Sequence, residues 1–277
     1  MSQILEQWIA GRGLPDTLVI DGHIHISEWP HAATFQSVDE AADESIRYMD
    51  SNGIDAICTV SGGYIFGMYD YHLGNDFLLE VWHRIPDRLI PFMGINPNDT
   101  QEHVLDELKR MYAAGIRCIK LLNAYQANYP GDGPNLMALY AFAAQHKMLV
   151  FNHAWAESEI SRIAAQFPEI DFIFGHYWGG YQDTIMKAFP NVYANIWNYG
   201  NMGWLERGIQ QVGAEKFMLG SDGFLNSLSV GIGPVVFANI RDDDKRLILG
   251  LTTARLVDKV GALPDRLKPK PDQPSQF

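Results

Sequence analysis

An α/β chain folded as a single (β/α)8 TIM barrel is what this sequence predicts, on three observations: the alternation of its segments, their number and the chain length. Apolar β-type runs alternate with amphipathic or Ala-, Glu- and Lys-rich stretches, the pattern of repeated βα units on a parallel sheet. About eight of each can be drawn. The 277 residues, 47% of them hydrophobic, are enough for one large core and lie near the roughly 250 residues usual for one barrel.

The elements justify themselves in order. Strands are expected at 18–26, 55–61, 89–96, 117–122, 148–153, 171–176, 192–197 and 216–222, each a short run rich in β-branched or aromatic residues. Helices fit 38–51, 76–84 and 100–114, which stop at Gly53, Pro86 and Gly115, residues that end helices by their backbone restrictions. Further helices fit 136–146, 157–166, 181–189, 203–212, 235–239 and 243–260. The stretch 231–233, Gly-Ile-Gly, reads as a flexible turn rather than a phosphate cradle, because no basic residue accompanies it. The amphipathic opening 4–9 is expected to cover the bottom of the barrel. The barrel domain is assigned to 1–263, and 264–277, rich in Pro and Lys, to a surface tail with little to bury.

Charge and composition narrow the partners. A net charge of -12 with scattered Lys and Arg argues against nucleic acid and anionic membranes, which need a concentrated basic face. The expected partner is a small molecule, and association into a homo-oligomer is left open. Cys58 and Cys118 sit inside apolar β-type runs, where a thiol behaves as a small core residue, so a reducing compartment is favoured over a disulfide framework. The opening has no basic segment leading a long apolar stretch, and no run reaches the ~18 residues of a spanning helix. A cytoplasmic location is therefore expected.

Function is read from the strand ends, because in a barrel the interior is packed and the pocket forms from the loops at the C-terminal mouth. Asp21, His23 and His25 alternate on the first strand and would face one side. Two imidazoles and a carboxylate buried together are costly unless hydrogen-bonded or neutralised by a cation. His153, His176 and Asp222 end three further strands, which a chance distribution of histidines does not readily place there. His31, His72, His83, His103 and His146 fall in loops or helices and read as solvated. Trp29, Tyr64, Asn123, Tyr125, Trp155, Tyr177, Trp178, Trp197 and Phe224 follow strand ends and could together wall a ring-bearing substrate. From that group and Lys120, the residues chosen for substrate binding are Lys120, Asn123, Tyr125, Trp155, Tyr177 and Trp178.

The pattern resembles the amidohydrolase superfamily, in its amidohydrolase-related branch with the aminocarboxymuconate semialdehyde decarboxylase relatives. The likeness rests on Ile20-Asp21-Gly22-His23-Ile24-His25, Phe174-Gly175-His176 with Gly179-Gly180, Leu219-Gly220-Ser221-Asp222, and the closing Lys245 to Gly250 with Ala254-Arg255-Leu256. It departs at Thr252-Thr253-Ala254, where relatives usually carry Asn-Ala, and this bears on subfamily placement more than on chemistry. The resemblance implies that the barrel is distorted and holds a divalent metal, commonly zinc. His23, His25 and His153 would be ligands, Asp222 the carboxylate of the eighth strand, and His176 a contact to substrate or to a second metal. In two-metal members a carboxylated lysine bridges the ions. Lys120 is read instead as an ordinary lysine beside one zinc ion, with the second metal left open.

Two reactions use such a set. Zinc lowers the pKa of bound water to about 7, so a hydrolase would attack an ester, lactone or amide carbonyl, Asp222 moving the proton and His176 steadying the oxyanion. A decarboxylase would gather a substrate carboxylate and hydroxyl on the same ligands. Near the strand ends Lys120 is the one base found to meet a carboxylate, and this tips the expectation toward hydrolysis. A barrel that binds metal without catalysis would show a broken ligand set, and none is seen.

Overall fold

The computed structural model describes residues 2–26, 35–61, 70–197, 203–224 and 229–268. Eight parallel strands follow one another in chain order around the sheet: β1 (Ile20–Ile26), β2 (Ala56–Ser61), β3 (Leu89–Gly94), β4 (Cys118–Leu121), β5 (Leu149–Asn152), β6 (Phe172–Phe174), β7 (Val192–Ile196) and β8 (Phe217–Leu219). A parallel bridge between Ile24 and Gly223 joins the last strand to the first. This is the expected TIM barrel. Its later strands are shorter than the apolar runs that contain them.

Helices cover the outside, and their ends follow local chemistry. Ser37 caps α2 (Val38–Asn52) and Gly53 ends it in a left-handed conformation, φ 68°, the backbone region glycine enters most easily. α3 (Tyr71–Arg84) begins five residues before the expected start, because the Asp70 carboxylate accepts the His72 N–H and caps it. Thr100 caps α4 (Gln101–Ala113), and Pro134 opens α5 (Pro134–His146). α6 (Glu157–Gln166), α7 (Tyr181–Ala188) and α8 (Trp204–Val212) complete the regular series. Stretch 231–233 is helical, inside α9 (Ser229–Phe237), which corrects the turn expected there. A Cβ on Gly231 would lie 3.0 Å from Gly220 O and from Ser221 Cα. The glycine thus lets α9 press on the end of β8.

The closing helix 243–260 is observed as α10 (Asp242–Arg246), a π-helical turn Leu247–Leu251, and α11 (Thr252–Lys259) in continuous succession. Ile20, Ala56, Ile90, Cys118, Leu149, Ile173 and Met218 fill the barrel, and Leu256, Val257 and Leu263 pack against them from below. The floor is therefore closed by α11 and the residues after it. α1 (Gln3–Ile9), expected there, lies instead beside α9 and α10. Its start is pinned by the Gln3 N–H on Asp242 (2.7 Å) and by the buried Lys245 ammonium on Ser2 Oγ (3.1 Å). Both cysteines are buried and free. No helix among the described residues is long and apolar enough to cross a membrane.

Candidate metal centre

β1 delivers His23 and His25 to the mouth side by side, their Nε2 atoms 3.1 Å apart. Asp222, just beyond β8, brings Oδ1 to 3.4 Å from His23 Nε2 and 3.0 Å from His25 Nε2. It does so from a left-handed backbone, φ 58°, a conformation Asp tolerates better than most residues. The edge of a tetrahedron with metal–ligand bonds of 2.0–2.1 Å is about 3.3 Å. The observed triangle has edges of this size, and among the described residues it is the one group of three or more His, Cys, Asp or Glu that could hold an ion.

The electrostatics of the donors fit the same purpose. Burial, and then the neighbouring Lys120, holds His23 well below the usual histidine range, which leaves a lone pair on the imidazole. Burial tends to raise the Asp222 carboxyl, but His23 and His25 outweigh it and hold the group ionised. His23 Nε2 faces His25 Nε2, Asp222 Oδ1 and, at 3.0 Å, Lys120 Nζ, and one ring proton cannot serve all of them. A divalent cation resolves that crowding, so the donor set fits one. His23 Nδ1 is buried without a hydrogen-bond partner; the ring is held by packing, edge-on to Phe151 at 4.8 Å.

Beside this cluster sits a second pair. His176 Nε2 and His153 Nδ1 are 3.0 Å apart, and the His176 ring lies 5.3 Å from that of His23. Gly175 makes the pair: a Cβ there would stand 2.7 Å from His153 Cα, so only glycine lets the ends of β5 and β6 close together. Burial lowers His153 to about 4, helped by Lys120, and it takes His176 lower still, with His153 the next cause. Both rings are neutral at physiological pH. His153 stands outside the three-residue cluster.

The remaining expected site residues divide by where they point. Trp178 is 52% exposed at the mouth, its ring 6.4 Å from His176 and 6.1 Å from Trp197, which itself lies 4.5 Å from His176. Tyr125 stands edge-on to His153 at 4.7 Å. Those three rings wall the histidines. Lys120 lies beneath them, buried, with its ammonium 3.5 Å from the centre of the Phe151 ring. Asn123 gives its amide to the Tyr129 carbonyl and so shapes its own loop.

Trp155 and Tyr177 turn away from the mouth, contrary to expectation. The Trp155 indole donates to Tyr140 Oη (3.1 Å) and packs on Phe172 and Phe174, while Tyr177 donates to Asp183 (2.6 Å) and packs on Phe217. Large amphipathic rings whose polar tips find a partner inside the wall belong to the core. Asp21 also departs from the shared face: β1 shifts register between Asp21 and Ile24, the Asp21 carboxyl accepts from Ser221 and from the His23 N–H, and burial raises it to about 7 against those hydrogen bonds. Trp29, Tyr64 and His31 lie outside the described residues. His72, His83, His103 and His146 are carried on α3, α4 and α5 and stand outside the cluster.

The amidohydrolase family model matches residues 20–259. The chain belongs to the amidohydrolase family. Solved structures similar to this amidohydrolase include 5-carboxyvanillate decarboxylase from Sphingomonas paucimobilis, with 16% identity, TM-score 0.67, 87% of this chain and 99% of that one covered. Another is 2,6-dihydroxybenzoate decarboxylase from Rhizobium, with 13% identity, TM-score 0.70, and coverage of 88% and 100%. A third is a dihydroxybenzoic acid decarboxylase from Polaromonas with bound manganese and an inhibitor, with 14% identity, TM-score 0.68, and coverage of 87% and 97%. At these identities the likeness is one of fold. No curated protein matches the sequence.

Proposed function

We propose that this amidohydrolase is a divalent-metal-dependent decarboxylase that removes carbon dioxide, without oxidation, from a small ring-bearing or enolic hydroxy acid. The observation that supports it most is the ionised Asp222 joined to His23 and His25 beside two neutral imidazoles and a wall of Trp178, Trp197 and Tyr125. His23, His25 and Asp222 would hold the metal, with His153 the proposed fourth donor and zinc the first ion to try. When bound, the ion would supply the positive charge that gathers a substrate carboxylate and the neighbouring hydroxyl oxygen.

The chain's own residues do the rest. Asp222, already ionised, accepts the hydroxyl proton at Oδ and returns it to the carbon that bears the carboxylate. The carbon–carbon bond then breaks, its electron pair returns to the ring or enol system, and carbon dioxide leaves. His176, neutral, hydrogen-bonds the substrate without adding a competing cation, and the aromatic wall holds the ring and excludes water.

Hydrolysis was the first expectation because basic residues are scarce at the strand ends. That scarcity decides little, since a cation held by the cluster would meet the carboxylate itself, and the similar structures named above carry decarboxylase names. Protein stripped by a chelator and reloaded with Zn2+ or Mn2+ separates the two reactions. Metal-restored release of carbon dioxide from hydroxybenzoic acids supports the reading; acid release from lactones or amides with no carbon dioxide from any acid refutes it.

A further inference from the structure

The metal-type cluster straddles the weakest seam of the barrel. Seven neighbouring strand pairs are joined by ladders of three to five paired positions. Among the described residues the eighth pair, β8 with β1, has the single bridge Ile24 to Gly223, with backbone bonds from Asp222 N to His23 O (2.9 Å) and His25 N to Gly223 O (3.3 Å). His23 and His25 stand on one side of that seam and Asp222 on the other.

Besides the contacts of Asp222 with His23 and His25, the Asp21 side chain crosses it. Asp21, fully buried, accepts from the Ser221 N–H (3.0 Å) and the His23 N–H (3.2 Å) on Oδ1, and from the Ser221 hydroxyl on Oδ2. The Ser221 proton being used there, Tyr48 completes the chain by donating to Ser221 Oγ at 3.1 Å. The Asp21 carboxylate therefore grips the residue before Asp222 and the backbone of His23 at once. Three donors from both sides of the seam thus converge on one buried side chain.

We propose that Asp21 is a positioning residue that clasps β8 to β1 and so sets the distance between Asp222 and the two histidines. It touches neither metal nor substrate. The inference rests on the metal-site reading and is independent of which reaction the site performs.

The test is zinc affinity of the full chain, measured for Zn2+ alone in competition with a chromophoric chelator, alongside circular dichroism and thermal unfolding of the metal-free protein. Asp21→Ala should bind zinc about 10- to 100-fold more weakly, the usual cost of losing a supporting partner. Asp21→Asn should recover most of that loss, because its amide oxygen still accepts from the backbone and its NH2 can donate to Ser221 Oγ. Ser221→Ala, which deletes one bond and leaves the carboxylate, should weaken zinc by roughly 3- to 10-fold; it carries the test if Asp21→Ala fails to fold. Folded Asp21→Ala or Ser221→Ala with parental zinc affinity and only a lower unfolding temperature would overturn the clasp, as would an Asn variant no better than Ala. Absence of zinc binding in the parent would instead overturn the ligand assignment itself.

Discussion

Lys120→Met exchanges a buried ammonium for a thioether of similar reach, and the pH range in which this exchange helps follows from the structure. The Lys120 ammonium is buried, 3.0 Å from His23 Nε2 and over the face of Phe151. Burial lowers its pKa from 10.5 to about 7, with Asp222 opposing. A lysine in the unfolded chain keeps its proton to about 10.4. Below pH 7 both states are charged and the folded one carries the full cost of the buried charge. At about 1.4 kcal/mol per pKa unit that is on the order of 5 kcal/mol. Between pH 7 and 10.5 the unfolded chain binds the extra proton, so stability rises with pH and the cost disappears. The Met variant also loses the cation–π contact, about 1–2 kcal/mol, which leaves a net gain of about 3 kcal/mol near pH 6.5. Urea unfolding of chelator-treated parent and variant at pH 6.5 and pH 10 reads the difference. An advantage of Lys120→Met that does not shrink with pH, or a variant less stable at pH 6.5, refutes the reasoning.

Asp222→Asn keeps the shape and removes the charge that faces His23 and His25; turnover should fall by at least about 100-fold with an unchanged circular dichroism spectrum, and near-parental activity would remove the residue from proton transfer. His23→Ala should lower bound metal before it lowers stability, as elemental analysis of purified protein will show; full occupancy would strike it from the donor set. Trp155→Phe deletes one hydrogen bond inside the wall, so stability should drop by about 1 kcal/mol with kcat and KM as in the parent. A raised KM would return Trp155 to the pocket.

What was legible in the sequence was what periodicity and strand ends encode. The eight apolar runs became eight strands in the expected order, and His23, His25 and Asp222 met because β1 carries the first two and Asp222 follows β8, its neighbour in the closed sheet. What failed did so for local physical reasons. Following a strand end does not fix which way a ring turns: Trp155 and Trp178 both do, yet one finds Tyr140 inside the wall and the other lies at the mouth. The pair Gly231 and Gly233 looked like a turn because glycine weakens a helix, but at Gly231 close approach to Gly220 and Ser221 demanded a residue without a side chain. Asp21 was expected on the face of His23 and His25 by alternation, and alternation is what the irregularity in β1 interrupts.

The same irregularity links folding to function. The donors closest to one another in space, His25 and Asp222 at 3.0 Å, come from opposite ends of the barrel's chain order, and the contacts of Asp21 with Ser221 span 200 positions. Long-range closure of this kind is entropically costly to reach, and it exists only once the intervening strands have taken their places. A cation that binds this cluster therefore binds the closed barrel and not the open one, and by linkage it stabilises closure in proportion to its affinity. Stability gained on adding metal thus reports the state of the seam between β8 and β1, and a change confined to that seam will register in metal affinity while the seven longer ladders stay intact.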